Sequence, residues 1–174
     1  RDTNNVPFLA NNVSQTIMIT SAGVSGLDAG TEASSTWYYI WIIAQTGGTV
    51  AGVVSTSNTA PVLPAGYVFQ RRVGSVRNDS SSNFLGIDQN GNFLLYHNAA
   101  DQNLFSGGGA TSFTDVDCSG LAPPTSRKVY ISQQLGNLGG YQVNWRKNGV
   151  TTNGITQTAR TGFDRFPAFF VSCD

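Results

Sequence analysis

The chain has 174 residues, a formal net charge of zero and only 11% charged residues, where about 25% is usual for a soluble protein. Glutamate and lysine normally cover the surface of soluble helices, so a chain whose only glutamate is Glu32 is expected to be poor in helix. Clustered lysine and arginine are lacking, which argues against binding of nucleic acid. No run approaches the roughly 20 apolar residues that a membrane-spanning helix requires, so we expect no membrane insertion.

The first third of the chain consists of alternating segments separated by turn residues, a pattern typical of β-strands. Val13 to Thr20 predicts a strand with Ile17 and Ile19 on one face. Trp37 to Ala44 is apolar on both faces, which predicts a strand that is covered on each side. A glycine-rich turn follows, so Val50 to Ser55 is expected to form a hairpin with the apolar segment.

The middle of the chain continues this pattern. Tyr67 to Arg77 predicts a further strand. Its core candidates are Val68, Val73 and Val76. Asn90-Gly91 is a two-residue hairpin signal because both residues tolerate positive φ. The strands predicted around this turn are Phe84 to Ile87 and Phe93 to Tyr96.

The last third of the chain carries a second hairpin signal, Asn148-Gly149. Short alternating segments again surround it. The strands predicted in this part are Phe113 to Val116, Val129 to Leu135, Tyr141 to Lys147, Val150 to Thr156 and Phe169 to Val171.

About ten short strands, with turns every 8–12 residues and no helical periodicity, predict an all-β protein. An antiparallel β-sandwich of the jelly-roll type is favoured over an immunoglobulin-like sandwich, because the sequence has no Cys-Trp-Cys arrangement. We expect a single domain over residues 13–174. Residues 1–12 are expected to form an arm that reaches toward a neighbouring chain or an upstream domain.

No pattern in the sequence predicts catalysis, a cofactor or a metal site. His97 is the only histidine, and a serine hydrolase would need a histidine base beside its nucleophile. Asp115 and Asp117 lie two residues apart on a predicted strand, where they would share a face and either bind a divalent cation or face water. Cys118 and Cys173 either pair or remain buried thiols. The expected class is a binding or structural protein and not an enzyme.

The aromatic residues indicate where binding could occur, since they suit both β-cores and binding surfaces. Trp37 and Trp41 share a face of an apolar strand and are predicted to lie in the core. Trp145 differs because it neighbours cationic and amide side chains beside a predicted hairpin tip, although a core position is the alternative. The predicted ligand-binding residues are Trp145, Arg146, Lys147 and Asn148.

Five short phrases combine turn glycines, a two-sided core strand and proline-fixed corners. They are Gly26-Leu27-Asp28-Ala29-Gly30, Trp37-Tyr38-Tyr39-Ile40, Leu63-Pro64-Ala65-Gly66-Tyr67, Arg71-Arg72-Val73-Gly74-Ser75-Val76 and Pro123-Pro124-Thr125-Ser126-Arg127. In this order they resemble structural proteins of tailed bacteriophages, chiefly the C-terminal parts of tail fibres and related virion appendages. The resemblance covers roughly Val13 to Leu135, and it supplies no catalytic residues.

The resemblance implies a β-sandwich domain on the exterior of the phage particle, in a symmetric oligomer for which a homotrimer is favoured. Its expected function is that of the receptor-binding end of a tail fibre, with other virion proteins and a host-surface glycan or protein as partners. A capsid decoration protein, which clamps neighbouring capsid subunits, is one alternative, and a secreted carbohydrate-binding module is another. The segment after Leu135 lies outside the resemblance and is the expected source of specificity.

Overall fold

The computed structural model describes residues 7–91, 93–104, 106, 109–135, 142–152, 154–158 and 164–172. The chain forms two compact units, Arg1–Ser106 and Gly107–Asp174. Among the described residues, the regular elements are β-strands and one 3₁₀ turn, and every pair of strands is antiparallel. The prediction of an all-β, antiparallel protein is confirmed. The jelly-roll arrangement, the single domain over residues 13–174 and the arm over residues 1–12 stay predictions.

The first unit is built on a three-stranded sheet with the most apolar segment of the chain at its centre. Strand β1 (Trp37–Ala44) pairs on one side with β2 (Val50–Ser55) and on the other with β3 (Phe69–Arg77). The β1–β2 hairpin closes through a turn in which Gly48 has a positive φ of 92°, a conformation that glycine adopts without steric cost. Both strands and the hairpin were predicted from the sequence and are confirmed.

The side chains of β1 are buried on both faces of the sheet, as predicted. Because successive side chains of a strand point to opposite faces, two separate apolar clusters result. One cluster consists of Tyr39, Trp41, Ile43, Ala51, Val53 and Tyr67. The other consists of Ile19, Leu27, Tyr38, Val54 and Val76. Trp41 therefore lies in the core as predicted, whereas Trp37 is only half-buried.

The segment before the sheet is not the strand that its alternating pattern predicted. Residues 13–18 belong to no strand, and burial alternates only over the end of the segment, where Ile17 is half-buried, Met18 is 61% exposed and Ile19 is 8% exposed. Ile17 lies across β2 at Gly52, where an added Cβ atom would come within 2.6 Å of the Ile17 Cδ1 atom. The alternation thus arises from packing against the face of the sheet and not from ladder hydrogen bonds.

A β-bulge in β3 changes which of its residues reach the core. The register of β3 on β1 shifts between Ile40 and Trp41, which leaves Val73 as the extra residue on β3. Val73 is 46% exposed, while Val76 beyond the bulge is 7% exposed. The prediction that Val73 lies in the core is therefore wrong, because the inserted residue shifts the alternation. Val76 is a core residue as predicted, and Val68 is half-buried.

A hairpin follows the sheet, formed by β4 (Ile87–Asn90) and β5 (Phe93–Tyr96). A hairpin with the predicted second strand is present, but its first strand was predicted too early, at Phe84 to Ile87. The turn lies one residue later than predicted, because Asn90 pairs with Phe93 as the last residue of β4. Gly91 adopts the positive φ of the turn, at 58°. A 3₁₀ turn, Ala99–Gln102, comes after β5.

The second unit contains two separate two-stranded ladders. Strand β6 (Lys128–Leu135) pairs with β9 (Asp164–Ser172), and β7 (Gln142–Trp145) pairs with β8 (Ile155–Thr158). The strand predicted over Val129 to Leu135 is confirmed, and the final strand is longer than predicted. The short strand predicted at residues 113–116 is absent, since these residues pair with no strand.

Asn148-Gly149 lies in a longer connection than the two-residue turn that was predicted. The ladder hydrogen bonds end at Trp145 and resume at Ile155, so residues 146–154 join the two strands. Within this connection the N–H of Val150 donates to the carbonyl of Lys147 over 3.2 Å, and Gly149 has a φ of 75°. One positive φ at the third position is the signature of a type II turn, whereas a type I′ turn would need two.

Candidate functional site

The four predicted ligand-binding residues lie at one end of the β7–β8 ladder. Trp145 is the last residue of β7, and the other three begin the connection to β8. We call residues 146–152 the recognition loop. Arg146 is half-buried, whereas Lys147, Asn148 and the following residues of the loop are exposed. The structure therefore divides the predicted set into one residue within the ladder and three in the loop.

Trp145 has a structural contact within the second unit. Its indole Nε1 donates a hydrogen bond of 2.6 Å to Oε1 of Gln133 on β6. The Nε2 atom of Gln133 in turn donates to Gln157 on β8. The half-buried Trp145 thus links the two ladders through Gln133, as a tryptophan with a structural role would. Its role in ligand binding stays a prediction.

Arg146 is stacked on an aromatic ring that the sequence did not assign to the site. Its guanidinium Cζ lies 3.7 Å from the ring centroid of Phe113, a cation–π contact. The same guanidinium donates through Nη1 to the carbonyl of Thr151 over 3.3 Å, across the recognition loop. These two contacts fix the arginine side chain, while Phe113 remains 41% exposed.

Asn148 faces a carboxylate from the same distant segment. Its Nδ2 atom lies 3.5 Å from Oδ2 of Asp115, and both side chains are exposed. Phe113, Asp115, Arg146 and Asn148 therefore form one surface, which we call the tip cluster. Sequence reasoning missed Phe113 and Asp115 as members because no local pattern relates them to a loop more than thirty positions later.

The other reactive side chains noted in the sequence do not converge on a catalytic arrangement in the described part of the chain. His97 follows β5, and its Nε2 atom lies 3.1 Å from Oδ2 of Asp88, with both side chains exposed. Asp117 accepts a hydrogen bond of 2.8 Å from the N–H of Ser119, as in a turn. Over the described ranges, no three His, Cys, Asp or Glu side chains are grouped to hold a metal ion.

Within the described part of the chain Cys118 is a free thiol, whose pKa is raised by burial and, to a lesser degree, by the neighbouring Asp117 carboxylate. A raised pKa keeps the sulfur in its less reactive thiol form. Cys173 lies outside the described residues, so whether the two cysteines pair stays open.

Among the described residues, the structure contains no helix with the length and apolarity needed to cross a membrane. No protein-family model, no curated protein and no solved structure matches the chain. The tip cluster and the all-β fold are therefore the structural features that bear on function.

Proposed function

We propose that the chain is a structural protein of a bacteriophage virion and forms the receptor-binding end of a tail fibre. The class of protein rests on the sequence phrases that resemble tail-fibre proteins. The all-β fold is compatible with it, since such folds present loops at the ends of their strands as binding surfaces.

The observation that carries the binding role is the tip cluster. It combines an exposed aromatic ring, a stacked arginine, a carboxylate and an amide on a loop that extends beyond its ladder. Aromatic and arginine side chains are the groups that most often anchor binding surfaces. The contacts from Arg146 to Phe113 and Thr151 restrain the loop, which lowers the entropy lost on binding.

Binding to cells tests the proposal directly. The full chain is labelled with a fluorophore and incubated with a panel of bacterial strains, and bound fluorescence is measured by flow cytometry. We expect selective binding to some strains and its loss in the double variant Lys147→Ala/Asn148→Ala. Lys128→Ala, which alters an exposed lysine on β6, is the matched control and should bind like the unmodified chain.

Two results would contradict the receptor-binding role. One is the absence of binding to every strain, and the other is unchanged binding by the folded double variant. Immunogold labelling of phage particles adds the location, because label on the head would favour the capsid decoration alternative. Absence of the protein from particles would favour a secreted carbohydrate-binding module.

A further inference from the structure

Asp115 and Asn148 present an acceptor and a donor that are only weakly engaged with each other. The Asn148 Nδ2 and Asp115 Oδ2 atoms are 3.5 Å apart, whereas N–H···O hydrogen bonds are usually about 2.7–3.2 Å long. Both side chains are exposed, so little is lost when a ligand replaces their mutual contact. The pair suits a ligand that offers one donor and one acceptor side by side.

Two hydroxyl groups on adjacent carbons of a sugar ring have this arrangement. One hydroxyl donates to the Asp115 carboxylate, and its neighbour accepts from the Asn148 amide. A hydrogen bond to a carboxylate is stronger than one between neutral groups, so Asp115 makes the stronger of the two contacts.

The Phe113 ring supplies the apolar part of such a site. A sugar ring has a face made of C–H groups, and aromatic rings offer flat apolar surfaces on which such a face packs. Phe113 is 41% exposed, and the guanidinium of Arg146, stacked at 3.7 Å on one face, holds the ring in place and leaves the opposite face for the sugar. The ring is therefore already ordered before a ligand arrives.

The tip cluster carries one negative and one positive charge, on Asp115 and Arg146, and the exposed Lys147 lies next to it in the chain. The Asp115 carboxylate repels a phosphate or carboxylate group that approaches Asn148. Arg146 is the obvious partner for an anion, but its guanidinium is already engaged with Phe113 and the Thr151 carbonyl. A protein partner would require roughly 800 Å² of surface on this side, whereas one sugar residue needs only the tip cluster.

We infer that the tip cluster binds a neutral sugar residue of a surface polysaccharide, with two adjacent ring hydroxyls on Asp115 and Asn148 and the ring face on Phe113. This inference rests on the proposed function and specifies the chemical class of its ligand.

The test uses an array of purified bacterial surface polysaccharides, each printed intact and after mild periodate oxidation. Periodate cleaves the carbon–carbon bond between adjacent hydroxyl-bearing carbons and so destroys the feature that is recognised. We expect the labelled full chain to bind at least one intact polysaccharide and to lose that binding on its oxidised duplicate.

Variants of the full chain identify the residues. Asn148→Asp keeps the shape of the side chain but removes the donor, and it should weaken binding about two- to tenfold, as loss of one hydrogen bond to a polar ligand implies. Phe113→Leu should weaken binding similarly. Thr152→Ala, an exposed change on the same recognition loop, is the control and should bind normally.

Binding that survives periodate oxidation would overturn the inference whatever the variants show. So would unchanged polysaccharide binding by a folded Asn148→Asp variant. If the chain binds bacterial cells but no polysaccharide, and protease treatment of the cells abolishes binding, the receptor is a protein. The sugar inference then fails while the proposed function stands, whereas binding to neither cells nor polysaccharides would refute both.

Discussion

At the scale of single residues, Gly26 lies so close to the backbone of Ser21 that the position has no room for a side chain. A Cβ atom at this position would overlap the carbonyl group of Ser21. The tight turn directs the next residue, Leu27, into the core, where it is 2% exposed. It also brings the Gly26 carbonyl to the N–H of Val54 on the outer edge of β2, at 2.9 Å. The glycine is thus required by a close backbone approach.

Gly26→Ala should therefore destabilise the protein by at least about 2 kcal/mol, the order expected when a well-packed region must shift to admit an added methyl group. Urea denaturation followed by tryptophan fluorescence measures the change. Gly47→Ala is the control, because nothing lies within 4 Å of an added Cβ atom there, and its effect should stay within about 0.5 kcal/mol. Equal urea midpoints for Gly26→Ala and Gly47→Ala would contradict the close approach of Gly26 to Ser21.

Tyr96 makes the free energy of unfolding depend on pH in the alkaline range. Burial raises the pKa of Tyr96 to about 12, with Arg77 lowering it and Asp101 raising it to smaller extents. Above the ordinary tyrosine pKa of 10.0, the unfolded state loses this proton while the folded state keeps it. The folded state then binds more protons than the unfolded state, so the free energy of unfolding must fall as pH rises from about 10 to about 12.

We expect Tyr96→Phe to make the free energy of unfolding less sensitive to pH in this alkaline range. Chemical denaturation at several pH values above about 9 measures the slope for both proteins. Tyr130→Phe, which alters a tyrosine that is 60% exposed, is the matched control and should retain the slope of the unmodified protein. The same slope in Tyr96→Phe and the unmodified protein would contradict the assignment.

At the scale of elements, backbone groups of β3 beside its bulge form hydrogen bonds with a side chain, Gln89, and not with another strand. The Gln89 amide accepts from the N–H of Ser75 and donates to the carbonyl of Val73, each over 3.2 Å. Gly74 lies between these two residues, and an added Cβ atom there would approach Oε1 of Gln89 to 2.8 Å. Gly74 therefore leaves the space that the amide needs. This arrangement covers backbone groups that would otherwise invite pairing with another chain.

Gln89→Leu should destabilise the protein by about 1–3 kcal/mol, because the N–H of Ser75, a residue only 8% exposed, loses its partner. Gly74→Ala should act through the same contact by displacing the amide. The double variant should therefore cost clearly less than the sum of the single variants, as measured by denaturant unfolding. Strictly additive losses would mean that the two positions act independently.

The predicted elements that failed share one physical cause. Turn glycines and alternating apolar residues are local features, and they predicted β1, β2, β5 and β6 correctly. The bulge in β3 and the packing of Ile17 across Gly52 depend on contacts between distant segments. A period of two in the sequence indicates which side chains are buried, but not whether the backbone is paired with a neighbouring strand.

At the scale of the whole molecule, large apolar side chains remain exposed in the described parts of both units. They include Leu9, Met18, Phe93, Leu95 and Tyr130, which are 59–83% exposed. Exposed apolar residues suit burial against another subunit when they lie together in a patch. Together with the low charge of the chain, they are compatible with the oligomer that the phage resemblance implies.

We expect the purified chain to be a homotrimer, with a molar mass about three times that of the 18.5 kDa chain. Light scattering coupled to size-exclusion chromatography measures this mass, and repetition at higher salt tests whether charge contributes. A single monomeric species at micromolar concentration would contradict the expectation. A monomer would not affect the sugar-binding inference, which the polysaccharide array tests separately.

The sequence by itself determined the all-β class, the central two-sided strand and a turn at Asn148-Gly149, although it placed Arg146 and Lys147 in the preceding strand. These properties follow from composition, from alternation and from the φ preferences of glycine and asparagine, all of which act over a few neighbouring residues. Only the tertiary structure brought Phe113 and Asp115 to the recognition loop and turned Trp145 toward Gln133. The reason is that stacking and side-chain hydrogen bonds require atoms within a few ångströms of one another, and for residues far apart in the chain only folding sets that distance.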